Sequence, residues 1–181
     1  MNALGMIEVN SIAAGLEIAD AMLKASEVSL LTAQPICCGK YMILVQGSVA
    51  AVKSSVEAGK PIANEYLIDS FVIPNVDPQV FSAISCSTET KGANAVGIIE
   101  TFSLAACIMS ADAAVKAANV VLLEIRLGRG LGGKSFVVMT GDVSSVRHAV
   151  ESGAGEISAD GMMVNKIVIP SPHQELMRAL L

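Results

Sequence analysis

The chain repeats one stretch of its own sequence. Residues 5–25 read GMIEVNSIAAGLEIADAMLKA, and residues 97–117 read GIIETFSLAACIMSADAAVKA. The offset between equivalent residues is 92 here, grows to 94 at the Gly-Lys pairs of residues 39–40 and 133–134, and reaches 96 at the Ile-Pro pairs. Two small insertions explain this drift. A repeat of roughly 90 residues can bury a core of its own, so the sequence predicts two similar small domains in tandem and not a solenoid.

Each half predicts the element order β-α-β-β-α-β. The predicted strands are residues 4–10, 28–34, 40–46, 66–73, 95–101, 120–127, 134–140 and 163–169. Ser11 is the expected N-cap of the first helix, and further helices are predicted over residues 47–58, 103–118 and 142–152 and after Pro172. This order indicates layered α/β domains of the α+β, ferredoxin-like type. We place the first domain at residues 1–84, the linker at 85–94 and the second domain at 95–181.

The composition excludes several classes of protein. Hydrophobic residues make up 52% of the chain, yet charged side chains interrupt every apolar stretch before the roughly 20 residues that a membrane-spanning helix needs. The excess apolar surface is therefore expected between subunits. The net charge is −5 and no basic run is present, which argues against nucleic acid as a partner. No secretion signal is visible, so we expect a cytoplasmic protein with no membrane association.

One glycine-rich segment matches a nucleotide-binding pattern. Residues 128–135, GRGLGGKS, fit G-x-x-x-x-G-K-[ST], which would point to a nucleotide-dependent enzyme. That motif holds phosphate only where it opens a helix. Here an apolar, β-branched run follows, so we favour a tight turn between two strands.

The cysteines and histidines do not form a recognisable catalytic set. His148 and His173 are the only histidines, and no nucleophile or metal-ligand spacing surrounds them, so we expect no enzymatic activity. Cys86 in the linker and Cys107 on a helix are interpreted as inert small residues. Cys37 and Cys38 stand in a loop that has no need for a buried side chain. Symmetry-related copies of that loop would be required to build a multi-thiolate metal site, and simple burial of these thiols is the alternative.

Several segments resemble bacterial microcompartment shell proteins. They are Gly-Met-Ile-Glu at 5–8, the helix segment 19–25, Gly-Lys at 39–40, the segment 47–52 and Val-Ile-Pro-Ser-Pro-His at 168–173. Two such domains in one chain are similar to the tandem-domain class, most of all to its propanediol-utilisation type. The resemblance implies a homotrimer that forms a pseudohexameric disc, which tiles with other shell proteins in the microcompartment shell.

The resemblance also implies roles for particular residues. The loop between the second and third strands of each domain faces the central pore, and its residues here are Pro35, Ile36, Gly39, Gly128, Gly130, Gly132 and Gly133. Lys24, and Lys116 as its counterpart, match the lysine that family members use at the tile edge. Ser171 replaces an arginine that is common in the family, which puts one edge contact in doubt.

In the propanediol-utilisation type, the cysteine of the loop Ile-Cys-Pro-Gly-Lys binds a [4Fe-4S] cluster. The corresponding segment here is residues 36–40, so the resemblance implies Cys37 as the ligand, with Cys38 in place of the proline as the alternative. One cluster per trimer, shared by three subunits, would transfer electrons or deliver iron–sulfur units across the shell, with encapsulated redox enzymes as further partners. The alternative function is a shell tile with a plain metabolite pore and no cluster.

Overall fold

The computed structural model describes residues 3–88 and 94–180, and the chain divides into two compact units, Met1–Val76 and Asp77–Leu181. Both units contain the predicted order β-α-β-β-α-β, so the tandem α+β fold is confirmed. In the part of the chain that the structure describes, no helix is long and apolar enough to cross a membrane.

The first unit is a four-stranded antiparallel sheet with two helices. Its elements are β1 (Ala3–Val9), α1 (Ile12–Ala25), β2 (Ser29–Ile36), β3 (Lys40–Gly47), α2 (Val49–Ala63) and β4 (Leu67–Ile73). The strand order is β2-β3-β1-β4, so β2 is an edge strand and β1 pairs with β3 and β4. Aliphatic side chains from β1, β3, α1 and α2 form the core, including Ile7, Ile18, Met22, Ile43 and Val56.

The second unit repeats this sheet and adds two short helices. Its elements are α3 (Pro78–Ile84), β5 (Ala95–Thr101), α4 (Leu104–Ala117), β6 (Val120–Leu127), β7 (Ser135–Gly141), α5 (Val143–Glu156), β8 (Met163–Pro170) and α6 (Gln174–Leu180). The strand order is β6-β7-β5-β8, which makes β6 the edge strand that corresponds to β2.

The first helix of each repeat begins at the same kind of cap. Ser11 Oγ accepts a hydrogen bond from Ala14 N at 3.3 Å, and Ser103 Oγ accepts one from Ala106 N at 3.3 Å. Each serine oxygen thereby satisfies one of the backbone N–H groups that the first helical turn leaves without a partner. The cap predicted at Ser11 is confirmed.

Two helices run further than the sequence predicts. Helix α2 continues through Gly59 and Pro61 to Ala63, and α5 continues to Glu156. Gly59 lies inside α2, and its lack of a side chain allows close packing there. A Cβ at this position would lie 2.7 Å from Ile7 Cδ1 and 2.9 Å from Met22 Cγ. Pro61 lies in the last turn of the helix. The predicted ends at residues 58 and 152 are therefore wrong.

Helix α3 has no counterpart among the helices predicted from the sequence. The predicted first domain, residues 1–84, includes residues 77–84, whereas in the structure they pack with the second unit against β6 and α4. The signal was present: Asp77 is the N-cap, its side chain accepts a hydrogen bond from Gln79 N, and Pro78 occupies the first helical turn. Part of the predicted linker, residues 89–93, lies outside the described residues.

Candidate functional site: the two inter-strand loops

The loop between β2 and β3 is a three-residue turn that carries two adjacent cysteines. Ile36 pairs with Lys40, and Cys37–Gly39 form one 3₁₀ turn between them. Cys38 and Gly39 have φ values of 64° and 71°, in the left-handed region. Glycine adopts this region without strain, but a residue with a Cβ such as Cys38 adopts it only at a cost.

The strand before this turn ends two residues later than predicted. Pro35 and Ile36, which are predicted to lie in the pore loop, are the last residues of β2. Proline lacks an N–H group for the strand ladder, and it is tolerated here because β2 lies at the edge of the sheet. Ile36 is buried, whereas Cys37 is half-buried and Cys38 is exposed.

The equivalent loop between β6 and β7 is longer and is built from glycine. Gly128, Gly130, Gly132 and Gly133 all have positive φ values, between 62° and 88°. Backbone hydrogen bonds from Gly128 N to Lys134 O and from Lys134 N to Leu131 O, both at 3.2 Å, close the turn. This loop contains the first of the two insertions that separate the repeats.

The nucleotide-binding pattern does not form a phosphate loop. Residues 128–134 lead directly into strand β7, so no helix N-terminus stands behind the glycines. Lys134 is also engaged, because its Nζ lies 2.5 Å from Glu100 Oε1. The prediction of a glycine-rich turn between strands is confirmed.

A glutamate–lysine pair lies beside the loop in each unit. Lys40 Nζ donates to Glu8 Oε1 at 3.0 Å, and Lys134 makes the equivalent contact with Glu100. Burial raises the pKa of Glu8, while the hydrogen bond and charge of Lys40 act in the opposite direction. These lysine partners of the two glutamates are not among the features predicted from the sequence. The repeated Gly-Lys pairs were the available signal, since antiparallel pairing of β1 with β3 brings them near the glutamates.

The four cysteines have different surroundings. None of them, all within the described residues, forms a disulfide. Cys107 is fully buried in α4, and burial raises the pKa of its thiol far above the usual value, so it stays protonated. Cys86 is exposed just after α3. Among the residues the structure describes, no group of three or more His, Cys, Asp or Glu side chains is placed to hold a metal ion.

The lysines predicted at the tile edge lie far from these loops. Lys24 and Lys116 are in the last turns of α1 and α4, where each pairs with the aspartate four residues earlier, Asp20 and Asp112. An eight-residue strand separates Lys24 from the cysteine turn, a distance of roughly 25 Å at 3.3 Å per residue. The loops and the lysines are thus two separate regions of each unit.

The histidines take no part in these regions. His148 is exposed on α5. His173 Nδ1 accepts a hydrogen bond from Glu175 N at 3.3 Å, just before α6.

A family model described as the BMC domain matches residues 3–76 and, a second time, residues 95–172. The chain belongs to the BMC domain family. Each match covers one complete β-α-β-β-α-β repeat, which agrees with the two units of the structure.

Proteins similar along the whole chain include other shell proteins. The bacterial microcompartment shell protein PduT of Citrobacter freundii is 43% identical over 178 residues, which cover 98% of this chain and 97% of PduT. The crystal structure of a microcompartment protein from Desulfitobacterium hafniense is 56% identical with a TM-score of 0.93, covering 98% of this chain and 99% of that one. The carboxysome assembly protein CcmO of Synechococcus elongatus is 30% identical over 98% of this chain and 68% of its own.

These similarities confirm the predicted resemblance to tandem-domain shell proteins. The chain is a structural protein of a bacterial microcompartment shell with two BMC domains. The iron–sulfur cluster, the trimer and the roles of the loop and edge residues stay predictions.

Proposed function

We propose that three copies of this shell protein form a pseudohexameric disc and that their three Cys37 thiolates hold one [4Fe-4S] cluster on its three-fold axis. Six BMC domains from three chains would then close the ring. The observation that carries the proposal is the pair of accessible thiols at the tip of the β2–β3 turn, the loop that the family resemblance places at the pore.

The residues of this turn fit an iron–sulfur cluster in donor type and access. Cysteine thiolates are the usual ligands of such clusters. Cys37 and Cys38 are reachable from solvent, whereas Cys107 is sealed in the core. A single chain offers only two neighbouring thiols, so a cluster would need ligands from several chains.

The rest of the loop holds these thiols in place. The left-handed backbone at Cys38 and Gly39 makes the turn short, and the buried Glu8 with Lys40 fixes the strand that follows it. When bound, the cluster would supply one-electron chemistry, and three thiolates would leave one iron without a protein ligand. Other microcompartment shell proteins, a class that includes PduT by its name, are the proposed neighbours of the disc.

The test is anaerobic purification of the wild-type protein with Cys37→Ser, Cys38→Ser and Cys86→Ser variants. Iron, acid-labile sulfide, the visible spectrum and the native mass are measured for each. We expect a brown trimer with about four irons, lost in Cys37→Ser and kept in the other two variants. Cys86→Ser is the matched control, because it removes an exposed thiol outside the loop.

Two results would contradict the proposal in different ways. A colourless trimer that takes up no iron during anaerobic reconstitution would overturn the cluster and favour the plain metabolite pore. A protein that never forms trimers would overturn the disc itself.

A further inference from the structure

The two equivalent edge strands of the repeat are covered differently within one chain. In the second unit, helix α3 lies against β6 and α4. The buried face of α3 includes Val80 and Ala83, which have no solvent exposure. In the first unit, the equivalent strand β2 has its first two residues, Ser29 and Leu30, exposed.

Three hydrogen bonds fasten α3 to the second unit. Asp77 N donates to Asp112 Oδ1 at 2.9 Å, at the start of the helix. The side-chain amide of Gln79 then bridges the strand edge: it accepts from Leu122 N at 3.1 Å and donates to Val120 O at 3.3 Å. An edge strand has backbone groups without a partner strand, and Gln79 satisfies two of them.

The same positions in the first unit form an open face. We define this face by the residues one repeat earlier: Ile12, Leu16, Asp20, Val28 and Leu30. Leu30 is 43% exposed, whereas its counterpart Leu122 is 0% exposed. Ile12 and Leu16 are also exposed, while their counterparts Leu104 and Ile108 are fully buried.

The chain also contains a second copy of the covering helix. Helix α6 follows β8 as α3 follows β4. A proline stands at or just after the end of each strand, and the next residue has a left-handed backbone conformation, with φ of 59° at Asn75 and 51° at Ser171. The same N-terminal hydrogen bond recurs: Asp77 accepts from Gln79 N, and His173 accepts from Glu175 N.

Helix α6 presents an exposed leucine in the single chain. Leu176, at the position of the buried Val80, is 41% exposed. The next residue, Met177, packs against a hydrophobic cluster of the second unit that includes Val96 and Val138. This contact anchors the helix to its own unit. Within residues 3–88 and 94–180, helix α6 therefore has no strand edge to cover, and no equivalent of α3 covers the β2 edge.

We infer that α6 of one copy covers the open face of a second copy, as α3 covers β6 within the chain. By equivalence, His173 N donates to Asp20 of the second copy, Leu30 N of that copy donates to the Glu175 carboxylate, and Leu176 covers Leu30. The contact is heterologous, so each copy gives one helix and receives another, and closure makes a ring. This inference rests on the proposed disc and names the surfaces that close it.

The test uses Leu30→Glu and Leu176→Glu in the full chain, alone and as an equimolar mixture, with mass measured by sedimentation velocity over a concentration series. Burying either new carboxylate in an apolar contact is costly, so each variant alone should be monomeric. In the mixture, the intact helix of Leu30→Glu meets the intact face of Leu176→Glu. We expect a heterodimer there and a trimer for the wild type.

Neighbouring positions supply matched controls. Ser29→Glu and Gln174→Glu add the same charge one or two residues away, and their counterparts Val121 and Pro78 stay exposed although α3 is in place. Both controls should remain trimeric. Circular dichroism of each variant checks that the units stay folded, since the substituted side chains are already exposed in the single chain.

Each outcome decides the inference. If either Leu→Glu variant alone forms trimers as the wild type does, the α6 contact is overturned but the proposed disc is not. A mixture that stays monomeric would overturn the heterologous pairing. A wild-type protein without trimers would overturn both the contact and the disc.

Discussion

At the scale of single residues, one helix–strand packing contact is made by side chains of different size in the two units. Gly15 on α1 lies against the ring of Tyr41 on β3, where a Cβ would approach Tyr41 Cδ1 to 2.4 Å. The equivalent residues of the second unit are Cys107 and Ser135, both buried. The helix position becomes larger where the strand position becomes smaller, so the two changes compensate for each other in part within a close-packed core.

Gly15→Ala should therefore lower the free energy of unfolding by about 1–3 kcal/mol, because the clash involves the first atoms of the tyrosine side chain, which cannot rotate away. Urea denaturation measures this change. The control is Gly155→Ala in α5, where a Cβ would meet no atom within 4 Å. Because alanine has the higher helix propensity, this substitution should raise the free energy of unfolding by up to about 1 kcal/mol. Equal effects of the two substitutions would contradict the packing argument.

At the scale of elements, helix α3 shows how a short helix is stabilised by its contacts. It has seven residues, too few to be stable alone in water. The Asp77 cap, the buried Val80 and Ala83 and the Gln79 bridge to β6 hold it on the second unit. The same helix protects the edge of that unit's sheet from pairing with another chain.

Gln79→Ala should destabilise the second unit by about 1–3 kcal/mol, because it leaves Leu122 N and Val120 O without their side-chain partner. Chemical denaturation of the full chain measures the loss. Gln79→Glu is the informative comparison: its carboxylate still accepts from Leu122 N but cannot donate to Val120 O, so a smaller loss is expected. A wild-type stability for Gln79→Ala would show that the bridge contributes nothing.

At the scale of the whole molecule, the single chain leaves many large apolar side chains exposed on both units. They include Ile12, Leu16, Leu30, Phe102, Ile167 and Leu176. Exposed apolar surface of this kind is typical of proteins that assemble, and it agrees with a shell function. The two lysines of the predicted tile edge differ from this apolar surface, because each is charged and forms an ion pair with an aspartate on its own helix.

Lys24→Ala should leave the unfolding free energy within about 0.5 kcal/mol of wild type, because exposed ion pairs contribute little to stability. If Lys24 is an edge contact, the variant should form trimers that no longer tile into sheets, as seen by electron microscopy. Ser29→Glu, which is expected to form normal discs, is the control for a surface change away from that lysine. Normal sheets from Lys24→Ala would overturn the edge role.

The repeat, the strand order along the chain and the glycine turn at residues 128–134 could all be predicted without a structure. Local rules were sufficient there: alternating and helical hydrophobic patterns identify strands and helices, and a phosphate loop requires a following helix. The same rules placed the ends of α2 and α5 too early, since they treat a glycine such as Gly59 as a helix terminator. Only packing shows that this glycine makes room for Ile7 and Met22.

Local sequence patterns and the repeat are thus sufficient to identify the family, the tandem fold and the location of two adjacent thiols in a loop. The pairing of Lys40 and Lys134 with Glu8 and Glu100, and the packing of helix α3 against β6, are visible only once the chain is folded. The tertiary structure also decides which of two equivalent edges is covered. Such features depend on contacts between residues distant in sequence, and no local periodicity specifies those contacts.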